Sequence, residues 1–474
     1  MRLIRASLTM ASLAVTGLVH AQGVPTASDS SLTWKGVTLY GIVDIGLQYQ
    51  THGTPISDYF PAGSAEPIQK NSNHSVFGVT PSNLSQSRIG LAGNEPIWGD
   101  FAGVFRLETF FNPQSGELSD GLKSLALMNG RSLAYQTTNV DTSVAGQAFA
   151  GNAYAGLSSA TFGTLTFGRH TTPLADGISK YDPTGASQAF SLIGFSGTTA
   201  GGGDTEDRRL DQSAKYTLKY DWLHLGGLYQ FSGARGSTNT AIQATIGAEF
   251  AGLSVDAYYA KKYNAVAAAT LNAEQVSGLP TLCATSVTPP ANPSGANCYS
   301  PSNALAGTVS DNTTGAIMAL YALPTGSLGT LTFYGGWEHI KFANPNNPYD
   351  PGQLIIGGYV LAYVNNAAYD KEKILQVYWG GLKWTVLPDL DLIVDYNGYH
   401  QNSFATGKHA GCTTNVASQC SGTENTISFV VDYRLSKRFD GYVGTFYSTV
   451  NDGLANGFLY TNTLATTIGI RFKF

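Results

Sequence analysis

Charge is scarce in this sequence. Asp, Glu, Lys and Arg together make up 12% of 474 residues, about half the share usual in soluble domains. A helix-rich cytosolic enzyme would carry more Glu, Lys and Ala. Disorder is disfavoured too, because 26 Tyr and 22 Phe supply apolar surface. A basic excess is missing as well. The formal net charge is -5, so nucleic acid, which calls for a basic surface, is not an expected partner. After the first two dozen residues no apolar run reaches the roughly 20 residues of a membrane-spanning helix. A membrane reading must then be a closed β-barrel, the other structure that satisfies every backbone group in lipid. The G-x-S-x-G and H-E-x-x-H patterns are absent and the eight His are scattered, so neither catalysis nor a metal or other cofactor is expected.

Cysteine is limited to Cys283, Cys298, Cys412 and Cys420. None forms a C-x-x-C pair and no His clusters beside them, which disfavours zinc. Each pair lies within one stretch rich in Gly, Ser and Thr. The expected disulfides are therefore Cys283–Cys298 and Cys412–Cys420, with free thiols as the alternative. Disulfides suit an exported chain, and the first 21 residues read as an export signal. Arg2 and Arg5 form the positive start, Ala6 to Leu18 the apolar middle, and Val19-His20-Ala21 the cleavage site. Residues 1–21 are thus assigned as signal peptide and 22–474 as one domain. Loss of the two arginines moves the formal net charge of -5 to -7.

What is present is alternation. In the last nine residues Ile468, Ile470, Phe472 and Phe474 fall on one side, and Thr467, Gly469, Arg471 and Lys473 on the other. Such a strand needs one greasy neighbour and one wet one, which lipid outside and a water-filled lumen inside supply. Near the start, Val37, Leu39, Val43, Ile45 and Leu47 oppose Thr38, Asp44, Gln48 and Gln50. Gln86 to Asn94 and Phe101 to Phe111 repeat the pattern. Further strands are expected at about 151–159, 163–169, 211–221, 222–232, 241–250, 253–263, 313–323, 328–342, 373–386, 389–402, 424–436, 439–450 and 464–474, sixteen in all. The connections alternate between long polar segments and short turns such as Ala251-Gly252 and Leu387-Pro388-Asp389. An up-and-down barrel with one end in a narrow compartment has this rhythm, and an even strand number fits it. Tyr49, Tyr220, Trp222, Tyr259 and Tyr433 sit near strand ends, where an interfacial aromatic girdle belongs.

Taken in order, several pieces resemble the trimeric general porins of Gram-negative outer membranes, in particular the β-proteobacterial type. They are Val37-Thr38-Leu39-Tyr40-Gly41-Ile42-Val43-Asp44, Ser87-Arg88-Ile89-Gly90-Leu91-Ala92-Gly93-Asn94-Glu95, Phe105-Arg106-Leu107-Glu108, Phe162-Gly163-Thr164-Leu165-Thr166-Phe167-Gly168-Arg169, Asp211-Gln212-Ser213-Ala214-Lys215-Tyr216 and Asp432-Tyr433-Arg434-Leu435-Ser436-Lys437-Arg438. The resemblance implies an all-β, 16-stranded antiparallel transmembrane barrel with short periplasmic turns and long extracellular loops. The third loop would fold inward as a constriction. It also implies a homotrimer in contact with the lipid bilayer and lipopolysaccharide. Ile470, Phe472 and the terminal Phe474 would be the signal read by the barrel-assembly machinery. Pro96 and Ile97 depart from the family's first turn, and segments 112–150 and 264–312 exceed its habit.

The function so implied is a water-filled channel for passive diffusion of small hydrophilic solutes and ions, selective through charge at a narrow waist. Arg88, Arg106, Glu108, Lys215 and Lys219 lie opposite the apolar face of their strands. On the lipid side at mid-depth a Lys or Arg would cost about 2–4 kcal/mol. Arg169 has the outward parity of Leu165 and Phe167 but ends its strand, so it is placed at the loop entrance. Asp176 and Asp182 are the expected acids of the inserted loop. The alternatives are a substrate-selective channel for sugars or organic anions, a barrel-borne hydrolase and an adhesin.

Overall fold

The computed structural model describes residues 32–53, 56–60, 70–128, 140–141, 146–193, 208–231, 240–271, 305–349, 354–356, 359–407 and 419–474. Sixteen long strands follow one another: β1 Val37–Gln50, β2 Arg88–Trp98, β3 Phe101–Phe110, β4 Ala153–Ser159, β5 Gly163–Thr171, β6 Arg209–Tyr220, β7 Leu223–Gln230, β8 Ala241–Phe250, β9 Leu253–Thr270, β10 Leu305–Pro324, β11 Thr330–Ala343, β12 Lys373–Leu387, β13 Leu390–Gln401, β14 Gly422–Arg434, β15 Phe439–Asp452 and β16 Asn462–Lys473. Each pairs antiparallel with the next in sequence. β16 returns to β1, with Ile42 opposite Lys473 and Gln50 opposite Ala465, and the sheet closes into a barrel without edges. The terminal residue completes this seam. Gly41 N–H donates to the Phe474 carbonyl at 2.9 Å, and Phe474 N–H donates to the Gly41 carbonyl at 3.1 Å.

The two faces differ as the alternation requires. On β16, Ile468, Ile470 and Phe472 are 58%, 47% and 40% exposed, whereas Thr467 is fully buried. The girdle residues Tyr49, Tyr220, Trp222, Tyr259 and Tyr433 are all exposed on the outer surface. At one end the connections are tight. Ala251 and Gly252 join β8 to β9 with φ of 51° and 84°. Two successive positive φ values give the turn whose twist matches the flanking strands.

The strand plan departs from the expectation in three places. The second strand begins at Arg88 rather than Gln86. Ahead of it a separate strand, Val76–Pro81, pairs with the upper half of β1, and residues 82–87 cross between the two. Second, β9 and β10 stay paired as far as Thr270 and Leu305, beyond the expected limits at 263 and 313. The added residues are mostly small, so they read as a loop, yet they carry a ladder of their own. Third, the first, second and sixth long loops fold over this extension. Val140–Asp141 and Tyr359–Asn365 pair with it. The helix α1, Gly121–Met128, buries Leu122 and Leu125 beside Phe60, Val266, Leu305, Val309 and Leu361. This apolar cluster joins the long loops to the paired extension of β9 and β10.

The assigned signal peptide, 1–21, lies outside the described residues, as do Cys283, Cys298 and Cys412. Cys420 is fully buried and disulfide-bonded.

Candidate functional site

The third long loop leaves β5 at Thr172 and folds into the barrel. Thr172 caps the helix α2, Pro173–Tyr181, its hydroxyl accepting from Ala175 N–H at 3.2 Å, and Pro173 supplies a first-turn residue that needs no donor. Leu174, Ile178 and Tyr181 then pack on Tyr258, Met318, Leu320, Ile340, Val377 and Trp379, which β9 to β12 point inward. Polar pins fix the loop. Tyr181 donates to Asp256 Oδ2 at 2.7 Å, and Trp379 Nε1 donates to the Tyr181 carbonyl at 3.0 Å. Asn397 Oδ1 accepts from Leu192 N–H at 2.7 Å. Ser428 donates to the Phe190 carbonyl at 2.6 Å and Ser187 to the Asn83 carbonyl at 2.7 Å. The loop lies flat because the wall beneath is bare. A Cβ on Gly444 would stand 2.7 Å from the Phe190 ring, and one on Gly381 would stand 2.5 Å from Pro183.

Thus the loop lines β8 to β15, and the opposite wall, β2 to β6, keeps its charges. Arg106 Nη2 lies 2.9 Å from Glu108 Oε2 and Arg88 Nε 3.5 Å from the same oxygen. Tyr40 joins them, accepting from Arg106 Nε at 2.6 Å and donating to Glu108 at 3.0 Å. Glu108 is fully buried among these groups. Arg209 sets its guanidinium 4.3 Å above the Phe110 ring, with Nε and Nη1 making no hydrogen bond. Arg169 donates to the Ala150 and Gly151 carbonyls and to Asp211 Oδ1, the last at 2.6 Å. Lys215 is paired with Asp176 on α2. With Arg208, which reaches Ser179 on α2 at 3.3 Å, six cations gather here with Glu108, Asp176 and Asp211. The anions are fewer, and two of the three are half exposed.

Two expected site residues, Asp182 and Lys219, occupy other positions than their parity or loop suggested. Arg169 is 9% exposed and stands near the end of β5, where the third loop begins. On the β4 side it stays in register opposite Ala153, and on the β6 side it stands opposite two residues, Asp211 and Gln212, the latter at φ 50°. Asp182 is 2% exposed and spends its oxygens on its own loop, accepting from Thr184, Ala186 N–H and Ser191 at 2.6, 2.6 and 3.0 Å. Lys219 sits one residue from the β6–β7 turn with its side chain 66% exposed, paired with Glu249 at 2.7 Å. It belongs to the rim of the short-turn end rather than to the waist. Arg209 and Tyr40 are the waist residues that the sequence reading passed over. The Arg208-Arg209 pair at the end of an acidic loop was the available signal for the first. Ile470 and Phe472 face outward and Phe474 lies in the seam.

Comparison with known proteins gives a consistent picture. A family model described as Gram-negative porin matches residues 7–453. An outer membrane porin of Bordetella pertussis is 35% identical over 80 residues, 17% of this chain and 20% of that protein, so the match spans one fifth of that relative's length. Among solved structures, an anion-selective porin from Comamonas acidovorans superposes with a TM-score of 0.56 at 18% identity, covering 92% of this chain and 99% of the other. The trimer form of OmpT, an outer membrane protein of Vibrio cholerae, gives 0.51 at 14% identity over 92% and 99%. At these identities the structural likenesses speak to the fold.

Proposed function

Because the chain belongs to the Gram-negative porin family, we propose that it forms a water-filled channel across the outer membrane for passive diffusion of small hydrophilic solutes and ions. The observation that carries this reading is a lipid-compatible exterior around a lumen narrowed by an inserted loop against a charged wall. The same wall points to anions as the favoured ions. Six cations stand there with three carboxylates, and local charge acts on a permeating ion more strongly than the total charge of the chain. Arg88, Arg106, Arg169, Arg209 and Lys215 are the residues that would attract anions. Asp176 and Glu108 would hold them in place, and Lys219 would act at the rim.

Family and fold favour a channel over an enzyme. A homotrimer is our reading of the assembly, supported by the trimer form among the structural neighbours. The exposed apolar band would meet bilayer lipid and, on the outer leaflet, lipopolysaccharide. Ile470, Phe472 and Phe474 would serve the barrel-assembly machinery. We also assign residues 1–21 as a cleaved signal peptide, and Cys412 as the partner of Cys420.

Reconstitution into planar bilayers under a salt gradient tests the proposal. Wild type should conduct in steps, with a reversal potential on the anion side. Arg88→Ala, Arg106→Ala and Arg209→Ala should each move that potential toward cations. Unmoved potentials would remove the assigned waist, and an electrically silent protein would remove the channel.

A further inference from the structure

Lys383 on β12 is an inward-facing cation that the waist does not include. It has the parity of Val377 and Trp379, which point into the barrel. In a closed barrel of sixteen strands β12 stands eight strands from β4, so Lys383 lies on the wall opposite the arginines of β2 to β6. Gly381, two residues earlier, is where the inserted loop rests, since a Cβ there would stand 2.5 Å from Pro183. From Gly381 the strand runs on to the short turn at Leu387-Pro388-Asp389. On this strand Lys383 is therefore the first inward side chain past the lip of the loop, on its short-turn side.

Its charge is left uncompensated. The charged groups near it are Asp391 and Arg434. Asp391 is already engaged, because Arg434 Nη1 donates to its Oδ2 at 2.6 Å and the Thr385 hydroxyl to its Oδ1 at 2.6 Å. That pair is neutral as a unit, and Lys383 forms no ion pair among the described residues. Its cross-strand neighbours, Thr332 and Ile393, carry no charge. The ammonium stands 5.9 Å from the centroid of the Tyr334 ring, a contact that positions a cation without cancelling it. The Lys383 side chain stays partly exposed, whereas Arg106, Arg169 and Arg209 are buried. An ion passing the loop thus has buried arginines on one side and an unpaired, accessible ammonium on the other.

We infer that Lys383 is a further selectivity residue, a fixed positive charge on the loop side of the lumen that draws small anions past the waist and repels cations. The inference rests on the channel reading and adds to it a second charged station. Lys383→Cys in planar bilayers under a potassium chloride gradient tests it. In water, a unit charge about 10 Å from a permeating ion acts with somewhat less than thermal energy, and with opposite sign on anion and cation. The anion-to-cation permeability ratio of Lys383→Cys should therefore fall about twofold. A trimethylammonium-bearing methanethiosulfonate should then restore the ratio, and a sulfonate-bearing one should lower it further. Wild type should respond to neither, and Lys383→Arg should keep the wild-type ratio. A merely structural role would not follow the sign of the attached charge. An unchanged ratio in Lys383→Cys, or the same response to both reagents, would overturn the assignment. If Lys383→Cys does not insert, Lys383→Gln decides in its place, a fall in the ratio supporting the role and a wild-type ratio overturning it. Wild-type protein silent in bilayers would remove the channel reading and this role with it, whereas wild type and variants that conduct with equal ratios would sink only Lys383.

Discussion

Asp44 illustrates how much one buried side chain organises. It is fully buried on β1, beside the break between the strand 76–81 and β2. Its carboxylate accepts from Asn83, Leu84 and Ser85 N–H at 3.2, 3.0 and 2.8 Å, and from the Tyr442 hydroxyl at 2.6 Å. These bonds satisfy the donors that the broken ladder orphans, and across the seam they tie β15 to β1. Asp44→Ala is expected to cost about 3–5 kcal/mol, since it strands several buried donors. The temperature at which the folded band converts to the unfolded one on a denaturing gel should fall. A melting temperature equal to wild type would refute this role. Asp44 was legible as an inward residue from its parity alone. What it binds was not, because three of its partners come from an irregular segment without periodicity.

The inserted loop is the element on which selectivity depends, and its docking is distributed along many strands. Asn397 on β13 is the pin with the least redundancy, as its Oδ1 accepts from both Leu192 and Ile193 N–H, at 2.7 and 3.3 Å. Asn397→Ala should loosen the loop by roughly 1–3 kcal/mol. Single-channel records should then show more open-state noise and a shifted step size; quiet records of wild-type size would place the anchoring elsewhere. A second element, the pair of turns at the other end, carries a pH dependence. Asp100 accepts from the Ser159 hydroxyl at 2.7 Å and from Thr161 N–H at 3.0 Å. The Ser159 bond first, then Thr161, holds its carboxyl below the ordinary value of 3.8. The folded form therefore releases this proton more readily than the unfolded one. Its contribution is complete above the ordinary value and disappears as pH falls through the lower folded one. Asp100→Asn should flatten this part of the acid-denaturation profile, and a variant curve parallel to wild type would contradict it.

At the scale of the whole molecule, closure does most of the stabilising. Every strand has two neighbours, so opening requires losing a full ladder along one seam. The β16–β1 seam includes both backbone bonds of the last residue. Removal of Phe474 should therefore lower the heat stability of the folded band and the yield of inserted protein. Insertion at wild-type yield would argue against that seam as the assembly determinant. The proposed trimer predicts a larger band in mild detergent that converts to monomer on heating.

The sequence by itself determined the strand number, the inward and outward faces and the end that carries the long loops. These follow from a period of two and from turn residues, both of which are local. Tertiary structure alone decided which inward residues form the waist. Inner side chains of β10 to β12, Met318, Leu320, Ile340, Val377 and Trp379 among them, are roofed by the loop rather than wetted. Arg169 is buried where β6 carries an extra residue beside it, and it meets Asp211 there. Asp182 turned away from the lumen because its own loop offered three donors. Such outcomes depend on contacts between residues far apart along the chain, which no short window of alternation records.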